Sequence, residues 1–380
     1  MNTEIHYGQP SYTIKTDMVK IWVSVRCGHL TGTFMHGERE IFPYMVSPWW
    51  NEKLDEDTLP TLQVLRGDYF CFPFGLNAEE YKGVAHPLHG KTANNCWDLS
   101  GIERADGRTT ITMSTDLSPA DGHVQKIISL RDSEPIIYTN HRIVGFSGQS
   151  SFGNHPNIQC PDKPGAAIID MTEPLAGFTP SNPIATPDTR GYSLIKPGTE
   201  IEDRTKVPTV YGDFVDLTRY PTPKGYEDVV QFISDPSKDF VFTSVTIPEE
   251  RYLYFQLKDP KVAASTLIWM PNGGNYNPPF NGRPVAAIGV EEITGNFFYG
   301  IIPSIENNLI QSKGFRTCAD FDADRPTNIK LISGLIPVES SFTGVSDIVQ
   351  KNDSTITVLG RSGEKIDVPC RVGFLKEESD

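Results

Sequence analysis

The chain has 380 residues, 38% of them hydrophobic, and 34 basic against 48 acidic side chains give it a formal charge of −14. That is enough length for a substantial core and the wrong sign for nucleic acid or an anionic membrane as a partner. No apolar run approaches the roughly 20 residues that span a bilayer, and the opening MNTEIHYGQP lacks the basic and apolar regions of a secretory signal, so a cytoplasmic protein is expected.

Cys27, Cys71, Cys96, Cys160, Cys318 and Cys370 are scattered without CxxC spacing, and are expected to be reduced, most of them packing as small apolar groups. In chain order, the first stretch of chemical interest is LRGDYFCFPFG with AHPLHGKTANNCWDL, which gathers Arg66, Asp68, His86, His89, Asn94, Asn95 and Trp97 among aromatics and glycines. Hydrogen-bonding groups interleaved with flat apolar faces suit a sugar, which offers a rim of hydroxyls and a patch of C–H groups. A packed loop whose histidines cap turns reads equally well from composition. His86 and His89 lack the further close ligand a zinc site needs, so no metal is expected.

TTITMSTDL places Ile111 and Met113 on one face of a half-buried strand. HVQKIISL and EPIIYTNHRIVGF follow as strands, and then GNHPNI, in which His155 stands between Asn154 and Pro156. A lone histidine is more often structural than catalytic. Residues 160–226 are rich in Pro, Gly and Asp, and are read as long loops over one sheet rather than a linker, because strand-like runs flank them. DFVFTSVTI, RYLYFQLK and STLIWMP continue the strands. In GRPVAAIGVEEITG, extended chain puts Val285, Ala287, Gly289 and Glu291 on one face and Ala286, Ile288, Val290 and Glu292 on the other. Gly289 leaves room beside the Glu291 carboxylate, while the bulkier face reads as core. STITVLGRSGEKIDVPCRV forms a hairpin about Ser362-Gly363. No segment shows helical spacing between convincing caps, so the expectation is an all-β protein: one large antiparallel β-sandwich domain over 1–380, with the long loops at 160–226.

The order and wording of LRGDYFCFPFG, HPLHG with NNCW, NHPNI and GRPVAAIGVEEITG resemble the galactose mutarotase-like superfamily, the aldose 1-epimerases and hexose-6-phosphate mutarotases. The resemblance implies a large antiparallel β-sandwich and an isomerase that interconverts the α and β anomers of an aldose without a cofactor. It implies His155 as general acid and Glu291 as general base, with Arg66 and His89 on sugar hydroxyls. Trp97 and Trp269 are candidates to stack on the sugar's apolar face.

Such a reaction needs a base to take the C1 hydroxyl proton and an acid to protonate the ring oxygen, so that the ring opens and recloses on the other face. Histidine, ordinarily about 6.5, suits the donor and a partly desolvated glutamate, raised toward neutrality from about 4.3, the acceptor, so anomer exchange is expected to fall at low pH as Glu291 protonates and at high pH as His155 loses its proton. The sequence departs from the family pattern where Asn157-Ile158 follows the histidine and where Glu292 follows Glu291. The resemblance also implies a further carboxylate on the sugar, for which Asp213, Asp216, Glu227 and Asp228 are candidates that the sequence does not separate. A sugar-binding or sensing protein without turnover, or a glycosidase- or lyase-related domain, are the alternatives on the same fold. The expected partner is a small sugar, bound by a monomer or homodimer.

Overall fold

The computed structural model describes residues 2–377. Strands dominate it, and every ladder between them is antiparallel. Two large sheets face each other across the core. The first runs in the spatial order Arg219–Tyr220, Ala167–Met171, Val241–Ile247, Tyr252–Lys258, Thr327–Pro337, Ile136–Val144, His123–Arg131, Arg108–Asp116, Asp98–Ala105. The second runs Ala176–Phe178, Tyr226–Ile233, Ser265–Asn272, Ala287–Thr294, Phe152–Asn154, Phe70–Cys71, with Asn157–Gln159 also paired to Ala287–Thr294.

Between them lies one apolar layer in which Ile111, Met113, Ile128 and Val245 of the first sheet meet Val230, Ile268, Ile288 and Val290 of the second. This is the product of period-two patterning: Arg108–Asp116 alternates buried and accessible positions along its length. The N-terminal meander, five strands from Glu4–His6 to Arg39–Ile41, packs on the same layer.

Val241–Ile247 and Tyr252–Lys258 are buried at every position. The reason is the C-terminal sheet, Val345–Asn352, Thr355–Gly360 and Lys365–Pro369, whose Ile348, Ile356, Val358 and Val368 cover Phe242, Leu253, Phe255 and Leu257 on the outer face of the first sheet. Strands buried on both faces carry apolar residues in continuous runs, and Tyr252-Leu253-Tyr254-Phe255 is such a run. The passage 160–226 adds Ala167–Met171 to the first sheet and Ala176–Phe178 to the second. All six cysteines are unpaired, and Cys27, Cys71, Cys160 and Cys370 are buried. No helix of the described residues is long and apolar enough to cross a membrane.

Candidate functional site

The strand Ala287–Thr294 divides its side chains as its sequence requires. Ile288 and Val290 enter the layer between the sheets, while Ala287 and Ile293 join the apolar cluster on the second sheet's other face, with Leu267, Trp269 and Val229. Glu291 shares that second face. Gly289 gives it space, because a Cβ there would lie 2.8 Å from Glu291 Oε1 and 3.1 Å from Trp269 Cβ. Glu292 points the other way, where it pairs with Lys258 and accepts from Thr243 Oγ1, Thr266 Oγ1 and Gln256 Nε2. The two adjacent glutamates thus belong to different compartments.

His155 arrives on the neighbouring chain. Asn154 lies opposite Glu292 and Asn157 opposite Gly289, which sets His155 beside Glu291. Pro156 has no N–H to give the ladder, so the strand is interrupted there. Its carbonyl still accepts from Val290 N, and the His155 N–H donates to the Tyr69 carbonyl. The histidine backbone is therefore held by its own hydrogen bond on one side and restricted by proline on the other.

His155 Nε2 and Glu291 Oε1 are 3.3 Å apart. The imidazole stacks on Tyr69 at 4.5 Å, Tyr69 stacks in turn on His29 at 4.2 Å, and His89 and Trp269 meet the His155 ring edge-on at 5.1 and 5.7 Å. Trp269 Nε1 donates to Glu227 Oε1 at 2.9 Å. Glu291 Oε2 and His89 Nδ1 are buried without a hydrogen-bond partner among the described residues.

The pair is closed from solvent, with His155 4% and Glu291 1% exposed. Burial pushes the Glu291 carboxyl well above the ordinary carboxylate range, helped by the charge of Glu292, and pushes His155 well below the ordinary imidazole value, helped by His89. Burial likewise moves Glu227 up to about 7 and His89 down to about 3. Ile184, Phe280, Phe298 and Tyr299 pack on the same apolar cluster as Trp269. The two loops that carry Ile184 and Phe280 are stitched together: Tyr192 N donates to Gly274 O, Tyr276 N to Arg190 O and Asn277 Nδ2 to Thr189 O. The Glu227 N–H in turn donates to Tyr192 O, which fixes this double loop to the edge of the site.

Of the residues singled out in the sequence, His155, Glu291, His89 and Trp269 are brought together. Arg66 and Trp97 are not. The Arg66 guanidinium donates to the carbonyls of Val64, His6 and Tyr7, and the fully buried Trp97 donates to the Thr92 carbonyl beneath the Lys126 ammonium. Among the four carboxylates left open, Glu227 reaches the site, whereas Asp228 accepts from the N–H groups of Leu194 and Ile195, and Asp213 and Asp216 bond nearby threonines. Tyr69 is the member the sequence did not single out, though its place in LRGDYF beside Arg66 was the available signal. His86 turns away from His89, and among the described residues no three His, Cys, Asp or Glu side chains gather as metal ligands.

No protein-family model and no curated protein matches the chain. Solved structures do. A galactose mutarotase related enzyme from Lactobacillus acidophilus aligns over 87% of this chain and 98% of its own, at 11% identity and a TM-score of 0.54. A galactose mutarotase-like protein from Clostridium acetobutylicum aligns over 88% and 97%, at 10% identity and a TM-score of 0.55. The chain has the galactose mutarotase-like fold. The same fold makes up half of a TPR-domain containing protein from Parabacteroides distasonis, matched over 91% of this chain and 50% of that one at 10% identity and a TM-score of 0.52. At such identities the galactose mutarotase-like frame is shared while side-chain roles are not carried with it, so the chemistry has to be argued from His155, Glu291 and their surroundings.

Proposed function

We propose that the protein is an aldose mutarotase, an isomerase that exchanges the α and β anomers of a sugar by acid–base ring opening. The observation that carries this reading is the buried His155–Glu291 pair at 3.3 Å, set with Trp269 and Glu227 on one face of the second sheet. Glu291 takes the C1 hydroxyl proton while His155 protonates the ring oxygen, and these two oxygens sit on one carbon, so neighbouring groups serve both. The unpartnered Glu291 Oε2 and His89 Nδ1 are polar valences that cost stability when empty and that sugar hydroxyls fill. Glu227, fixed by the Trp269 indole, holds a further hydroxyl, and the indole ring takes the sugar's C–H face.

Magnetisation-exchange NMR between anomers, over a panel of free and phosphorylated aldoses, tests this with His155→Ala and Glu291→Ala. The expected result is fast exchange for one sugar, reduced at least about a hundred-fold in each variant. A second reading, a sugar-binding protein without turnover, is favoured by Arg66, whose guanidinium is spent on main-chain carbonyls rather than on a ligand. Saturable line broadening of one sugar with no exchange for any of them selects that reading.

A further inference from the structure

A cleft of about 240 Å³ opens on the Phe72 face of the chain that follows Phe70–Cys71, whereas Tyr69 and Cys71 join the cluster around Trp269 on the other face. None of its lining residues belongs to the group around His155. Phe72, Leu117, Pro119, Phe146 and Ile301 give it apolar walls, and Lys82, Lys91 and His86 stand with Asp121 and Tyr81 around them. The same turn supplies both places: Gly90, whose φ of +74 brings its Cα so near Phe72 that a Cβ would lie 1.9 Å from the Phe72 carbonyl oxygen, lets His86 and Lys91 line the cleft while His89 faces His155.

Two lysines border the cleft, with Asp121 beside them. Lys82 and Lys91 pair with no carboxylate among the described residues, although the chain carries −14 overall. His86 Nδ1 is shielded from solvent without a hydrogen-bond partner, and the Lys82 ammonium lies 5.2 Å from the Tyr81 ring centroid. Two ammonium groups and an open imidazole valence beside apolar walls suit one kind of guest. A bare inorganic anion would leave the apolar walls unfilled. The volume falls below the roughly 300–1,000 Å³ of pockets for drug-sized molecules, which fits a single ring.

We infer that this cleft is a second ligand site, for a small organic carboxylate with one flat ring, the ring lying between Phe72, Leu117, Phe146 and Ile301 and the carboxylate between Lys82 and Lys91. It does not rest on the mutarotase reading. The test titrates the full-length protein, ¹⁵N-labelled at histidine, with benzoate, with acetate as charge without ring and with benzyl alcohol as ring without charge. The His86 signal, identified by its loss in His86→Gln, is expected to shift saturably with benzoate alone. Lys82→Met/Lys91→Met is expected to raise the apparent Kd at least about ten-fold at an unchanged melting temperature. Ala120→Trp, which fills the cleft and leaves both lysines, should abolish the shift. Shifts that never saturate, equal affinity in the double lysine variant, or acetate binding as well as benzoate would each overturn the inference.

Discussion

Across the 3.3 Å between His155 and Glu291, burial shifts the two groups in opposite directions, the carboxyl up and the imidazole down. Both shifts favour the uncharged pair, a carboxylic acid beside a neutral imidazole, over the carboxylate–imidazolium form. On the mutarotase reading the expected profile is still bell-shaped, with the owners of its limbs exchanged. The acid limb comes from His155 taking a second proton, below its ordinary value, and the alkaline limb from Glu291 losing the last one, above its ordinary value. Histidine ¹⁵N spectra check this: the His155 ring is expected to stay neutral at pH 6, and an imidazolium signature there would restore the first assignment. Glu227 offers a stability counterpart. Its carboxyl titrates at about 7 in the fold, so the unfolded chain ionises first as pH rises. The wild type accordingly keeps its full stability below the ordinary carboxylate value and loses some of it as pH climbs through 7. Glu227→Gln removes that loss while its amide oxygen still accepts from Trp269. Urea unfolding at pH 4 and pH 8 should show the variant gaining on the wild type by up to about 3 kcal/mol across the interval.

At the scale of the element, the strand Ala287–Thr294 separates two jobs by its pleat. Glu291 faces the candidate site and Glu292 the layer between the sheets, where its ion pair with Lys258 is buried and fully hydrogen-bonded. Removing one partner strands a charge, so Lys258→Met is expected to cost about 3–5 kcal/mol, and Lys258→Met/Glu292→Leu to recover most of it. Chemical denaturation of the single and double variants decides; equal losses in both would make the pair irrelevant. Gly289→Ala works on the other face. Its methyl would press on Glu291 and Trp269, and it is expected to slow anomer exchange about ten-fold or more at a stability cost of about 1–3 kcal/mol. That division of faces was legible in the sequence because alternation is local, as were the strands around Ile111 and the hairpin about Gly363. The full burial of Val241–Ile247 was not, because its outer cover comes from residues a hundred positions further on. Glu227 could not be told from Asp228 for a related reason: the choice depends on the register of Tyr226–Ile233 against Ser265–Asn272, a pairing between distant segments. Arg66 carried the motif, yet its donors go to His6 and Tyr7, and nothing local in the sequence announces that long-range bond.

At the scale of the whole molecule, the candidate site is a closed room. His155, Glu291 and Glu227 are all nearly inaccessible, and the joined loops bearing Tyr192 and Tyr276 stand at its edge. On the mutarotase reading a sugar would enter where that joint opens, so the amide hydrogens of Tyr192 and Tyr276 are expected to exchange with solvent faster than those of Ser265–Asn272, and to slow when the sugar is bound. Hydrogen-exchange mass spectrometry with and without the sugar identified by NMR reads this directly, and equal protection in both regions would place the entrance elsewhere.

The bond from the Trp269 indole to Glu227 also gives the protein its own optical gauge. Of the five tryptophans, Trp49 and Trp97 donate to main-chain carbonyls that never titrate, and Trp22 donates to Glu4, a carboxylate held below its ordinary value. Among these hydrogen-bond acceptors only that of Trp269, Glu227, changes charge near neutrality, while the Lys126 ammonium over Trp97 titrates at about 8. The Trp269 emission should therefore step near pH 7 and shift again when a guest displaces that carboxylate, with Trp269→Phe removing the guest-dependent shift, so occupancy of the site can be followed by light without any label.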